Sequence, residues 1–156
     1  MALEFRLAGA GDYDVIERMV VESFAPVSWA RRTDERFGSL NGQDWRARWH
    51  SRMLRIFESQ IVLTGRRKDD IVAMASGTID PESTLAYIDL LAVDRRFQAR
   101  GYGREMLRAM MDHFRNLGAQ YVYLDCLTDN EEGNTLYLQE GFTEIVRQVR
   151  WFRRLV

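Results

Sequence analysis

Apolar positions recur along this chain with two different periods, and the switch between them marks the elements. Residues 3–7, Leu-Glu-Phe-Arg-Leu, alternate as a half-buried strand does. After Gly11 and Asp12, positions Val15, Ile16, Met19, Val20 and Phe24 follow helical spacing, and Pro26 closes that helix. The scatter of Ser, Arg, Thr, Gly and Asn over residues 25–41 predicts a loop, with Asn41 placed to cap a second helix from about Gln43. In that helix Trp45, Trp49, Met53, Ile56 and Phe57 share a stripe, while Arg46, Arg48, Arg52 and Arg55 lie largely off it. The tryptophans should pack inward and the arginines face solvent.

Residues 60–64 and 71–78 read as strands of a hairpin joined by the charged turn 65–70, and Asp80-Pro81 marks the next turn. Residues 85–93, Leu-Ala-Tyr-Ile-Asp-Leu-Leu-Ala-Val, are nearly all apolar, as in a central strand covered on both faces; Asp89 is the one charge. Leu107, Met110, Met111, Phe114 and Leu117 mark an amphipathic helix from about Arg104 with Gly118 at its end. A strand over residues 121–127 follows, then a helix capped by Asp129 with Glu132 completing a capping box and Gly141 closing it. Residues 142–152 alternate loosely and predict a terminal hairpin, although the turn near Arg147-Gln148 lacks Gly and Pro.

Composition narrows the classes. A chain of 156 residues, 46% hydrophobic and 29% charged with 2 prolines, is expected to be one folded domain over 1–156. A formal net charge of -1 gives no field for sequence-independent nucleic-acid binding. The arginines with Trp45 and Trp49 are better read as a solvated face over a core stripe than as a stacking platform. No apolar run approaches the ~20 residues a membrane span needs, and the start Met1-Ala-Leu-Glu lacks a signal-peptide pattern, so a cytoplasmic protein without a membrane partner is expected. The single Cys126 is read as a small buried hydrophobe, and His50 and His113 are too isolated to suggest a metal site.

The chemistry concentrates after Val93, in Asp94-Arg-Arg-Phe-Gln98-Ala99-Arg100-Gly101-Tyr102-Gly103-Arg104. A strand, a glycine turn and a helix start have the form of a phosphate cradle. The first amides of a helix lack internal partners, and Gly101 and Gly103 allow close approach. Arg104-Glu105-Met106 after Gly103 excludes both the P-loop, which needs Gly-Lys-Ser/Thr, and the dinucleotide pattern, which needs a third glycine.

This stretch resembles the GNAT superfamily of N-acetyltransferases, whose loop reads Gln/Arg-x-x-Gly-x-Gly/Ala after a strand ending Leu-Ala-Val. Gln98, Gly101 and Gly103 match the loop, and Leu91-Ala92-Val93 matches the strand end. A second match is Asn130-x-x-Gly133-x-x-Leu136-Tyr137 followed by Glu140-Gly141-Phe142, similar to the family's Asn-x-x-Ala-x-x-Leu-Tyr and Leu-Gly-Phe segment. Gly133 stands where alanine is usual, leaving room for a closer cofactor, and Glu140 replaces a common leucine as surface variation. The match is sharp over about residues 85–145.

The resemblance implies an α/β (α+β in some schemes) GNAT domain. Its mixed, mostly antiparallel sheet would have about six to seven strands flanked by about four helices, splayed at an acetyl-coenzyme A site. It implies that Leu91, Ala92 and Val93 pair with the pantetheine arm, and that Gln98, Ala99, Arg100, Gly101, Tyr102, Gly103 and Arg104 hold the pyrophosphate. Asn130 and Tyr137 would also touch the cofactor. The expected reaction is acetyl transfer to a primary amine by direct attack in a ternary complex. Tyr137 would act as general acid toward the leaving thiolate, and Asp89 as general base or as a structural or substrate contact. A strand amide near Leu90 or Leu91 would face the oxyanion. The acceptor would be a small-molecule amine in preference to a peptide amine, and the arginines hint at a carboxylate or phosphate on it. The protein would be a monomer or homodimer. The alternative is an acyl-coenzyme A sensor that binds without transfer.

Overall fold

The computed structural model describes residues 2–156. One five-stranded sheet runs in spatial order β1 (Glu4–Leu7), β2 (Ile61–Arg67), β3 (Asp70–Asp80), β4 (Leu85–Val93) and β5 (Tyr121–Leu124). All neighbours are antiparallel except β4 and β5, which are parallel. Helices α1 (Tyr13–Phe24), α2 (Trp29–Phe37) and α3 (Trp45–Ser59) precede β2; α4 (Tyr102–Asn116) joins β4 to β5, and α5 (Glu131–Gln139) follows β5.

Burial on both sheet faces explains the near-continuous apolar run of the central strands. On one face Ile16, Met19 and Val20 of α1 and Trp49, Met53 and Ile56 of α3 pack against Val62, Met74, Leu90 and Ala92. On the other, Met106, Leu107, Met110 and Phe114 of α4 pack against Leu63, Val72, Ala75, Ala86 and Ile88. The tryptophan stripe therefore faces the core as expected.

Several expectations change. The sheet has five strands instead of six to seven, and five α-helices flank it instead of about four. Residues 142–152 form no hairpin; the segment has no backbone ladder, consistent with a turn that lacks Gly or Pro. Part of the loop expected over 25–41 is α2. Its start is held by Trp49 Nε1–H donating to Ser28 Oγ at 3.1 Å, and Thr33 Oγ1–H donates to Trp29 O. Ser28 followed by Trp29, Thr33 and Phe37 at i, i+4, i+8 was the overlooked signal. Asp44, not Asn41, caps α3 by accepting from Arg46 N–H, and Asn130, not Asp129, caps α5. The strand expected over 121–127 stops at Leu124. Gly118 and Gly141 do follow their helices with φ of 98° and 89°.

The feature that shapes the sheet is a bulge in β4. Ser76 faces Leu90 but Gly77 faces Ile88, so Asp89 is the extra residue. A Cβ on Gly77 would lie 2.0 Å from Tyr87 O and 2.9 Å from Phe114 Cζ, so only glycine lets β4 approach here. Gly77→Ala is expected to lower stability by about 2–3 kcal/mol, measured by urea unfolding. Its cofactor affinity should fall with it, because the bulge sets the path of the strand end.

Candidate active site

The bulge turns β4 out of step with β5. Their pairing covers only Leu85–Ile88 against Tyr121–Leu124, and beyond it the two strands part. Asp94 N–H donates to Val72 O, so by antiparallel alternation Leu90 and Ala92 turn their peptide groups toward β3. Leu91 and Val93 turn theirs into the gap. Of the two strand amides expected near the reacting carbonyl, the register selects Leu91. Gln98 Nε2–H donates to Val93 O at 3.1 Å and pins the loop to the strand end.

That loop has unusual backbone geometry. Ala99 has φ of 60° and Gly101 φ of 84°, both left-handed, and α4 begins at Tyr102 with Gly101 as its N-cap, two residues earlier than expected. Among the described residues, none accepts a hydrogen bond from the backbone amides of residues 98–104. A row of unpaired amides at a helix start, folded by two left-handed residues, is a nest for an anion. A Cβ on Gly103 would make only ordinary contacts, 3.7 Å to Val93 and 3.9 Å to Leu136, so this glycine relieves no crowding within the chain. The cradle fits a pyrophosphate. Arg100 lies over the Phe97 ring at 5.6 Å, as does Arg96 at 5.3 Å, and both add positive charge beside it.

Helix α5 closes the far side. Arg104 and Arg108 form ion pairs with Glu140, whose side chain is 6% exposed. Glu140 is thus a tie between α4 and α5, not surface variation. Gly133 also differs from its expected use: a Cβ there would lie 2.8 Å from Asn130 Nδ2 and 3.1 Å from Cys126 Sγ. The freed space holds those two side chains, and Asn130 Oδ1 accepts from Gly133 N–H in the cap. Tyr137 packs edge-on against Phe142 at 5.8 Å, and burial, with Cys126 adding, raises its phenol above the ordinary value of 10.0. Partial burial likewise raises the Cys126 thiol, which is half-buried and not the fully buried residue expected.

On the α1–α3 side, Asp89 Oδ1 accepts from Arg52 Nη2 at 2.6 Å and Oδ2 from Gln60 Nε2 at 2.8 Å. Of the four arginines expected to face solvent, two are half-buried and engaged. Arg46 and Arg55 are exposed as expected, whereas Arg48 binds Asp34 and Ala30 O and Arg52 also stacks on Trp49; on α2, Arg32 pairs with Asp129. The sequence reading missed Asp125, which follows β5 where the strands part. No ion pair engages it among the described residues, and its partner is the Tyr87 hydroxyl at 3.5 Å. Tyr87 stacks on Tyr123 at 4.8 Å, and burial, with Asp89 and Asp125 nearby, pushes its phenol up to about 12. The signal for Asp125 was its place just after an apolar β-strand. Clefts of about 430 and 440 Å³ lie beside β1, at the opposite edge of the sheet from β5. Among the described residues, no cluster of metal-ligating side chains occurs, and no helix is long and apolar enough to cross a membrane.

The family model described as Acetyltransferase (GNAT) family matches residues 26–142. The chain is 35% identical over 66 residues to the N-alpha-acetyltransferase RimI of Mycobacterium tuberculosis, covering 42% of this chain and 40% of that protein. It is 31% identical over 86 residues to the [ribosomal protein bS18]-alanine N-acetyltransferase of Haemophilus ducreyi, covering 54% and 57%. The matches thus span about half the length of these relatives. Among solved structures, AAC(6')-Iy in complex with the bisubstrate analog CoA-S-monomethyl-acetylneamine superposes with a TM-score of 0.69 at 12% identity. That likeness covers 99% of each chain and concerns the fold.

Gly101→Ala places a Cβ on a left-handed residue at a cost of about 1–2 kcal/mol. It should weaken coenzyme A binding at least several-fold by calorimetry. Gly103→Ala, with ordinary φ and room within the chain, should leave the melting temperature unchanged while still weakening binding.

Proposed function

The chain belongs to the acetyltransferase (GNAT) family, and from that premise we propose that it moves an acetyl group from acetyl-coenzyme A to a primary amine by direct attack, both substrates being bound together. The observation that carries this reading is the run of unpaired amides at residues 98–104 next to the open edge of β4, with the half-buried Tyr137 packed against the same core cluster as Val93 and α4. Acetyl-coenzyme A supplies the activated thioester; this chain's residues bind, orient and move protons.

The amides of Gln98, Ala99, Arg100, Gly101, Tyr102, Gly103 and Arg104 hold the pyrophosphate, and the outward peptide groups of Leu91 and Val93 pair with the pantetheine arm. The Leu91 amide also faces the oxygen on which negative charge develops. Tyr137, kept protonated by burial, gives its proton to the departing sulfur. Asn130 keeps α5 in place through its cap, which orients Tyr137.

The amine arrives protonated and must lose a proton. Asp89 was the residue expected to take it, yet both its oxygens already accept from Arg52 and Gln60. We assign that step to Asp125, the carboxylate free of ion pairs at the mouth of the gap, and give Asp89 the task of fixing α3 to the bulge. The Tyr87–Tyr123 pair beside Asp125 suits a cationic acceptor. With Arg48 and Arg52 already paired, the earlier hint of an anionic group on the acceptor loses its support. A small-molecule amine is the favoured acceptor. A second reading, the amino terminus of a peptide, is favoured by the names of the two N-terminal acetyltransferase relatives.

Thiol release from acetyl-coenzyme A over a panel of small amines and short peptides tests the reaction. The expected result is turnover with at least one class. Silence across the panel, with the melting temperature still raised by acetyl-coenzyme A and not by ATP or NAD, would instead establish a sensor.

Tyr137→Phe should lower kcat about 100-fold with coenzyme A affinity nearly unchanged. In the wild type, kcat/KM should show no falling limb below pH 10, because the acid's proton is held above its ordinary value.

Asp125→Asn should lower kcat about 100-fold, whereas Asp89→Asn should lower the melting temperature more than kcat. An equal kcat loss at Asp89 would return the base role to it.

A further inference from the structure

Arg67 ends β2 at the turn into β3, and its guanidinium lies over the Phe97 ring at 6.0 Å from the centroid. Arg100 meets the same ring at 5.6 Å and Arg96 at 5.3 Å, so cations from two separate chain segments gather on one aromatic side chain. That ring packs edge-on against Tyr102, the buried first residue of α4, at 6.4 Å. The cluster therefore stands beside the row of unpaired amides at residues 98–104.

The acids nearby do not account for it. Asp94 is spent on Arg96, accepting from its Nε, its Nη2 and its backbone amide. Among the described residues no carboxylate pairs with Arg67 or Arg100, although Asp69 and Asp70 follow Arg67 on the same turn. Arg67 Nε is also buried without a hydrogen-bond partner. A buried charged donor left unpaired is costly, and an anion from outside the chain would satisfy it.

The chemistry of that anion follows from what the amides leave over, on the premise that acetyl-coenzyme A is the ligand of the nest. The amides take the pyrophosphate, in which each phosphorus carries one charge. A phosphomonoester carries close to two at neutral pH and offers three acceptor oxygens, which suits a pair of guanidinium forks. Coenzyme A has one such group, on the ribose next to the pyrophosphate. We infer that Arg67 and Arg100, set on Phe97, form a second anion site that takes the ribose 3'-phosphate and makes the chain select coenzyme A over its dephospho form. Arg67 belongs to the β2–β3 hairpin, outside the glycine loop, so cofactor selection depends on a residue from the other half of the chain.

Calorimetry on the full chain with coenzyme A, dephospho-coenzyme A and adenosine 3',5'-bisphosphate tests this. The wild type should bind coenzyme A at least about 10-fold tighter than the dephospho form. Arg67→Gln should remove most of that preference by weakening coenzyme A alone, without lowering the melting temperature of the free protein, because the buried Nε it removes has no partner. Arg100→Gln should act in the same direction, whereas Arg95→Gln, an exposed neighbour, should leave the ratio of the two affinities unchanged. Equal affinities in the wild type overturn the proposal. So does a double variant Arg67→Gln, Arg100→Gln that keeps the preference or weakens both ligands equally. Inorganic phosphate held through Arg67 while the two cofactors bind alike would assign the cluster to free phosphate and overturns it too. If neither cofactor binds, the acetyl-transfer reading falls, and adenosine 3',5'-bisphosphate decides the rest: Arg67-dependent binding keeps the phosphomonoester site, and no binding removes it.

Discussion

The close approach of Tyr87 to Gly77 is the constraint on which the rest of the site depends. A side chain at residue 77 would occupy the space of the Tyr87 carbonyl; without one, β4 takes in an extra residue at Asp89 and changes which peptide groups face outward. Two consequences follow from that single irregularity. The parallel pairing with β5 ends after four residue pairs, so the sheet opens where an ordinary sheet would stay closed. The outward groups of Leu91 and Val93 then meet the start of α4, where residues 98–104 present their own unpaired amides.

The two walls of the gap are held by polar ties of different kinds. On the α5 side, Glu140 joins Arg104 and Arg108, and the absent Cβ of Gly133 leaves room for Asn130 and Cys126 under the helix that carries Tyr137. On the other side, Arg52 and Gln60 converge on Asp89, Arg48 joins α3 to α2, and Arg32 joins α2 to Asp129. Surface ion pairs of this sort contribute little to stability one by one. Their value here is positional, since they set helices α2, α3 and α5 around an opening that the sheet itself no longer braces.

Charge on the acceptor side is therefore redistributed. Arg31, Arg32, Arg46, Arg48, Arg52 and Arg55 read as a basic face, yet after folding all of these but Arg55 pair with acids within the chain. Asp125, which accepts from the Tyr87 hydroxyl at 3.5 Å, is engaged by no ion pair among the described residues. On the proposed reading this environment suits an amine better than a phosphate or carboxylate, which would connect the packing of α3 with the choice of substrate class.

The sequence by itself determined the parts that depend on local spacing. The tryptophan stripe of α3, the apolar β4 run, the helix α4 and its glycine cap each follow from periodicity that neighbouring residues enforce. The cradle at Gln98, Gly101 and Gly103 was legible because left-handed turns and helix starts demand particular residues. Tertiary structure alone decided what depends on partners far along the chain. Asp89 was conspicuous as a lone charge in an apolar strand, but its partners Arg52 and Gln60 are 37 and 29 residues away. Asp125 was inconspicuous because its freedom from ion pairs exists only after folding. The missing strands over residues 142–152 belong to the same class: alternation supplies a strand's side chains, but an edge to pair with is a property of the assembled sheet.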